Sequence, residues 1–344
     1  MDLQIALLLG QDGIVNGAVY ALLALALVLV FAVTRVIFIP QGEFIAYGAL
    51  TLASFQAGKT PGTVWLLLGA GILVALIDTM IVVRNGNLGR LKGIALWNLA
   101  LPATVTGFVL WLEPGKLPLA AQAALALAVV MPLGPMMYRL VYQPLAEASV
   151  LVLLIVSMAV HLVLVGLGLL FFGAEGSRTT PFSEAQLQLG TLAINGQTLW
   201  VLGTSVALIV ALYLFFGHTL YGKVLRATAI NRVGARLMGI SHTMAGRLSF
   251  TLAAGIGALS GILIAPITTV YYDTGFLIGL KGFVAAIIAG MSSYPLAAIG
   301  AILVGLLESF SSFWASAFKE VIVFTLIIPV LMWRSLTSHH VEEE

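Results

Sequence analysis

The chain has 344 residues, of which 60% are hydrophobic and 9% charged, with 16 Lys and Arg against 14 Asp and Glu. Soluble domains are about 45–50% apolar and about 25% charged, so this chain has too few charges to cover a water-soluble globule, and too many apolar groups to stay disordered. A net charge of +2 speaks against nucleic-acid binding, and the lack of cysteine removes disulfides, thiolate catalysis, iron–sulfur clusters and Cys-ligated zinc.

A mean hydropathy of +1.09 and long uncharged runs predict an all-α, polytopic integral membrane protein, with 1–344 as a single transmembrane domain. In chain order the apolar stretches are 13–33, 36–55, 62–83, 95–112, 117–138, 149–172, 198–216, 248–270, 276–290, 294–314 and 319–332. About 20 helical residues cross a ~30 Å hydrocarbon core, so the stretches at 276–290 and 319–332 are short enough to be tilted, broken or re-entrant. The expected number is about 9–11 transmembrane helices. The first stretch lacks a basic lead and is too long for a cleaved signal, so it is read as a span.

Two loops are long enough for structure of their own. Segment 173–197 is polar and rich in turn residues; segment 217–247 carries Lys223, Arg226, Arg232, Arg236 and Arg247 and no acid. Basic loops stay in the cytoplasm. Alternating outward from 217–247 puts Arg35, Arg84, Arg90, Lys92, Arg139 and Arg334 on the same side, 11 basic residues in all, against 5 (Lys59, Lys116, Arg178, Lys281 and Lys319) at or near the outer face. The bias predicts an outer N-terminus and a cytoplasmic C-terminus. The tail, with its three terminal glutamates, reads as a solvated end.

Catalytic patterns are missing, and no catalytic, cofactor or metal site is expected. Gly58-Lys59-Thr60 imitates the end of a phosphate-binding loop, but the required upstream glycine is Ala53. No HExxH, GxSxG or zinc-spaced histidine cluster occurs, and active transport would need an ATPase partner or an ion gradient. Gly13 with Gly17, and Gly257 with Gly261, have the spacing of close helix contacts.

Ionisable groups inside a bilayer cost at least ~2.5 kcal/mol each, so they are informative. Glu43 lies eight residues after Arg35, ~12 Å into the membrane if helical, in a stretch that Pro40 and Gly42 loosen. It suits either a translocation path, with Gln41 and Gly42, or a buried hydrogen-bond network. Glu308 has the same two readings, the structural one leading. Asp78 is read as interfacial, and His161 as a packing residue rather than a proton relay.

Residues 222–240 read GKVLRATAINRVGARLMGI. Ile230, Val233 and Leu237 share one helical face, with Arg226, Arg232 and Arg236 around it, and Gly239 suits a left-handed helix end. Such a short amphipathic helix fits the membrane surface or a groove on a soluble partner.

This segment resembles the cytoplasmic motif G-R-x-x-R-A-x-A-x-[DN]-x-x-x-A-x-x-x-G-I of permease subunits of bacterial ABC importers for branched-chain amino acids. Gly42-Glu43-Phe44 resembles that family's G-E-[FHY], Tyr142-Gln143-Pro144 its Y-R-P turn, and Gly279-Leu280-Lys281-Gly282-Phe283 its Gly-Leu-Lys-Ala-Phe stretch; Glu308 and Lys319-Glu320 resemble its late glutamate and K-[DE] pair. The matches spread from Gly13 to Trp333. Gln41 stands where the family has histidine, Pro40 replaces a small residue, and the family's Gly-rich turn is reduced to Ala289–Leu296. Segment 84–120 looks like two added spans.

The resemblance implies an ABC importer permease fold in the bacterial inner membrane, working with a second homologous permease, two cytoplasmic ATPase subunits and an external solute-binding protein. The loop 217–247 would be the coupling element, with Arg226, Ala227, Ile230, Asn231, Val233, Ala235, Arg236, Leu237 and Gly239 meeting the ATPase. Gln41, Gly42, Glu43 and Glu308 would flank the passage. Branched-chain or similar small amino acids are the expected substrates; urea, short amides or aromatic acids are the alternatives. An ion-coupled secondary transporter using Glu43 or Asp78, or a non-transporting membrane subunit, are the readings from other classes.

Overall fold

A computed structural model describes residues 3–86, 89, 91–189 and 192–337. Arg90 and the glutamate tail, both used in the sequence reading, lie outside the described residues. In chain order come α1 (Leu3–Thr34), α2 (Gln41–Gln56), α3 (Gly62–Arg84), α4 (Leu91–Ala95), α5 (Leu101–Trp111), α6 (Leu119–Val130), α7 (Leu133–Met137), α8 (Val150–Phe172), a hairpin of β1 (Gln186–Leu189) and β2 (Leu192–Asn195), α9 (Gly196–His218), α10 (Leu220–Ile230), α11 (Arg232–Leu237), α12 (His242–Ile264), α13 (Thr274–Ile288), α14 (Tyr294–Trp314), α15 (Lys319–Thr325) and α16 (Ile327–Thr337). Among the described residues, 9 helices are long and apolar enough to cross a membrane. Two more apolar helices, α2 with 16 residues and α13 with 15, are shorter. The protein is a polytopic all-α membrane protein, and each stretch expected to span has its helix.

Burial separates helices of similar hydropathy. The most apolar window of α1 is 89% buried, that of α9 only 11%. A helix apolar all round belongs in a core or in lipid. Here α1 is the central post, wrapped by α12, α13 and α14, whereas α9 turns its apolar surface outward to the bilayer. The small-residue spacings are the contact points. A side chain on Gly13 or Gly17 would strike Leu306 or Ile302 of α14, and one on Gly257 or Gly261 would strike Phe44 or Ile45 of α2.

Two spans are built differently from the expectation. The stretch 36–55 is not helical from its start. Arg35 is left-handed (φ 58), Pro40 supplies no N–H and turns the chain, and α2 begins only at Gln41. The link between them dips into the protein, where Phe38 is fully buried against Phe44, Tyr142 and Phe250. Segment 84–120 holds one complete crossing, Leu91–Trp111, and the start of the next at Leu119. Both of these crossings carry a π-turn, Leu96–Ala100 and Tyr138–Tyr142; Pro102 follows the first at the start of α5, and the turn at Met131–Pro132 that breaks α6 from α7 precedes the second.

The bundle has two distinguishable ends. The hairpin and the start of α1 mark one; α10, α11 and the close of α1 mark the other, called here the arginine end.

Candidate functional site

At the arginine end, 217–247 forms an elbow rather than one helix. Asn231 leaves helical geometry (φ −148, ψ 103), ends α10, and caps α11 by accepting the Gly234 N–H at 2.8 Å. Thr219 and Ser241 cap α10 and α12 in the same way. Gly239 has φ 81 and closes α11, as its left-handed role requires.

Each half has an inner and an outer side. Leu225 and Thr228 are buried, with Leu225 packed on Leu29 and Val33 of α1. Ile230, Val233, Leu237 and Met238 point away and are 86%, 70%, 82% and 83% exposed. Arg236 and Asn231 are also exposed, and Ala227 is half-buried. Two expected surface residues are not on the surface. Ala235 is buried, because α11 rests on that small side chain. Arg232 is half-buried and turned inward, with Nε and Nη2 lacking partners among the described residues. Burial, and then the positive charge of Arg35, draw its guanidinium below the usual arginine range.

Deeper in the bundle, the first residues of α2 are packed tightly. Gln41 donates from Nε2 to the Ala253 carbonyl of α12 at 3.0 Å. Gly42 lies so close to α13 that an added Cβ would sit 2.1 Å from the Gly275 carbonyl oxygen. Glu43 is 1% exposed and lies 2.8 Å through Oε1 from His161 Nδ1 on α8, while its Oε2 has no described partner. His161 stacks on Phe276 of α13 at 4.3 Å. Glu43 and His161, read separately in the sequence, are one pair, which a sequence separation of 118 conceals.

A second buried cluster joins α1, α13, α14 and α15. Lys281 Nζ lies 2.5 Å from Glu308 Oε1 and 3.1 Å from Glu320 Oε1, and the Tyr20 hydroxyl donates to Glu308 Oε2 at 2.5 Å. Lys281, assigned to the outer face by charge counting, is therefore a buried residue of α13, 5% exposed. The sequence contained a signal for this, since a lysine inside a predicted span needs a carboxylate. Asp78, read as interfacial, is 9% exposed; Arg139 Nε donates to it at 2.6 Å, and Arg247 of the basic loop lies 3.9 Å from its other oxygen. These pairings tie helices together at buried positions, where unpaired charge is costly.

Residues 79–331 match the family described as the permease component of branched-chain amino acid transport systems. The high-affinity branched-chain amino acid transport system permease protein LivH of Escherichia coli K12 is 27% identical over 230 residues, covering 64% of this chain and 74% of that protein. The corresponding protein BraD of Pseudomonas aeruginosa is 26% identical over 229 residues with the same coverage of 64% and 74%. A solved structure, PsaBC from Streptococcus pneumoniae in complex with Fab, overlaps with a TM-score of 0.39 at 10% identity and 95% coverage of each chain, a likeness too slight to carry an argument. With the match extending from within α3 to α16, well over half its length, the chain belongs to the branched-chain amino acid transport permease family.

Proposed function

We propose that this permease moves branched-chain or similar small amino acids into the cytoplasm, driven by two ATPase subunits that dock on the elbow of α10 and α11. A second similar permease completes the passage, and an external binding protein delivers the substrate. The arginine end faces the cytoplasm and the N-terminus lies outside. The names of the relatives support the substrate class, and the basic loop supports the orientation.

One observation carries the docking: Ile230, Val233, Leu237 and Met238 are large apolar side chains exposed together on the elbow's basic helices, uncovered by any of the described residues. Such a patch marks an interaction surface. Movement there would enter the bundle directly, because Leu225 of α10 rests on Leu29 and Val33 of the central helix. Anchors in the middle of an interface dominate its energy, and rim charges contribute less. Leu237→Glu should therefore abolish substrate-stimulated ATPase activity in the reconstituted complex and prevent capture of the ATPase subunit. If both are unchanged, the face lies on the membrane instead.

The buried Glu43–His161 pair would also suit a proton-coupled carrier. The purified chain alone in liposomes decides between the two: accumulation driven by an ion gradient, without ATP, would refute the ATPase-driven reading.

A further inference from the structure

Between α1, α9, α12 and α14, the arginine end contains a cavity of about 540 Å3. That is within the range of about 300–1,000 Å3 for sites that enclose small molecules. Its body is apolar, walled by Leu25, Leu29, Ile209, Leu212, Ile256 and Ala298. Its mouth is polar: His218 and Arg226 stand there beside Tyr294, whose ring stacks on Phe216 at 5.6 Å.

Depth, access and charge identify the ligand class. His218 is the last residue of α9, and Ile209, nine residues earlier, lies ~13 Å deeper at ~1.5 Å per residue. One leaflet of hydrocarbon is ~15 Å thick, half of the ~30 Å core. The cavity thus runs from the level of lipid headgroups nearly to the bilayer midplane. Its α9 wall belongs to a span whose most apolar window is only 11% buried, so access is from the lipid side. The mouth residues include no acid, and among the described residues no carboxylate pairs with Arg226. An apolar slot one leaflet deep with an unneutralised arginine at headgroup level matches a single chemistry, an acyl chain carrying an anionic head.

We propose that this cavity binds one anionic phospholipid, an acyl chain filling the body and the phosphate held by Arg226 with His218 and the Tyr294 hydroxyl. Arg226, placed by the sequence reading at the rim of the Ile230, Val233 and Leu237 face, lines this cavity, whereas those three side chains do not, so the site does not depend on which partner covers that face.

The test is native mass spectrometry of the full chain in detergent, supplied with phosphatidylglycerol or phosphatidylcholine. The wild type should retain one phosphatidylglycerol in preference to phosphatidylcholine. Arg226→Gln should lower phosphatidylglycerol retention about fivefold, the effect of one cation beside an acidic lipid surface, and erase the preference. Ala298→Phe, which fills the body from the α14 wall, should abolish retention of both lipids. Arg226→Gln lies at the exposed mouth, so the test does not depend on the folding of Ala298→Phe. Equal retention of the two lipids by the wild type, or unchanged phosphatidylglycerol retention in Arg226→Gln, overturns the proposal. So does photo-cross-linking to another protein chain instead of lipid from a benzophenone maleimide added to the thiol of Leu212→Cys, unique in a chain without cysteine.

Discussion

Lys281→Met tests whether the charges buried among α1, α13, α14 and α15 form one balanced unit. Lys281 is 5% exposed and serves Glu308 at 2.5 Å and Glu320 at 3.1 Å. Methionine fills most of the same space but leaves two carboxylates with a single neutral donor, the Tyr20 hydroxyl. Removing one partner of a buried ion pair costs about 3–5 kcal/mol, since the remaining charge keeps its desolvation penalty and loses its attraction. Glu308→Gln should cost less, about 1–3 kcal/mol. Lys281 would still have Glu320, and the amide oxygen would accept from Lys281 while its NH2 donates to the Tyr20 hydroxyl oxygen. The double variant Lys281→Met/Glu308→Gln should be more stable than Lys281→Met alone, because it removes the orphaned carboxylate along with its partner. The measurement is unfolding of the purified chain by SDS titration in mixed micelles, for the four members of the cycle. A cost below about 1 kcal/mol for Lys281→Met, or a double variant as unstable as the sum of the singles, would refute the reasoning.

Glu43→Gln keeps the shape and the contact with His161 but removes a charge, so the complex should assemble normally while uptake falls several-fold; wild-type uptake would show the charge to be dispensable. Gly42→Ala should prevent stable folding, because its Cβ would sit 2.1 Å from the Gly275 backbone oxygen and drive α2 from α13; a monodisperse size-exclusion peak at wild-type yield would contradict this. Gly239→Val forces a β-branched residue into φ 81, at a cost of order 1–3 kcal/mol. It should leave the chain in the membrane but lower the ratio of transport to ATP hydrolysis, and an unchanged ratio would disprove it.

The spans were legible in the sequence because crossing a bilayer requires a long apolar run, which composition alone reveals. The exceptions come from local backbone chemistry that hydropathy averages away. At 36–40, the residues are apolar enough to extend a span, yet left-handed Arg35 and Pro40 shape them into a buried link. At 230–237, the 3–4 spacing of Ile230, Val233 and Leu237 suggested one continuous helix. Asn231 was the signal against it, since an asparagine inside a helix competes for backbone hydrogen bonds and favours a cap. The break keeps all three side chains exposed on the two sides of an elbow, so the periodicity survives without the helix.

The pairings were less legible, for a different reason. That Glu43, Glu308 and Asp78 need partners follows from the cost of charge in hydrocarbon. Which partner each takes depends on helix packing, and no local pattern specifies it. Tyr20 and Glu308 are 288 residues apart, and they meet because Gly13 and Gly17 let α1 and α14 approach closely. The glycine spacing and the lone glutamate were each visible in the sequence, one as a contact and the other as an unpaired charge. Packing turns the first into the cause of the second's position. Where a small-residue face brings two helices together, an ionisable group on either helix near the crossing is close enough to be paired across it. The same reasoning applies to Lys281, two residues from Gly279, whose added Cβ would meet Gly42 of α2 at 2.9 Å. Backbones that close leave α13 little freedom to turn its lysine toward lipid, and the carboxylate of α14 holds the lysine inside.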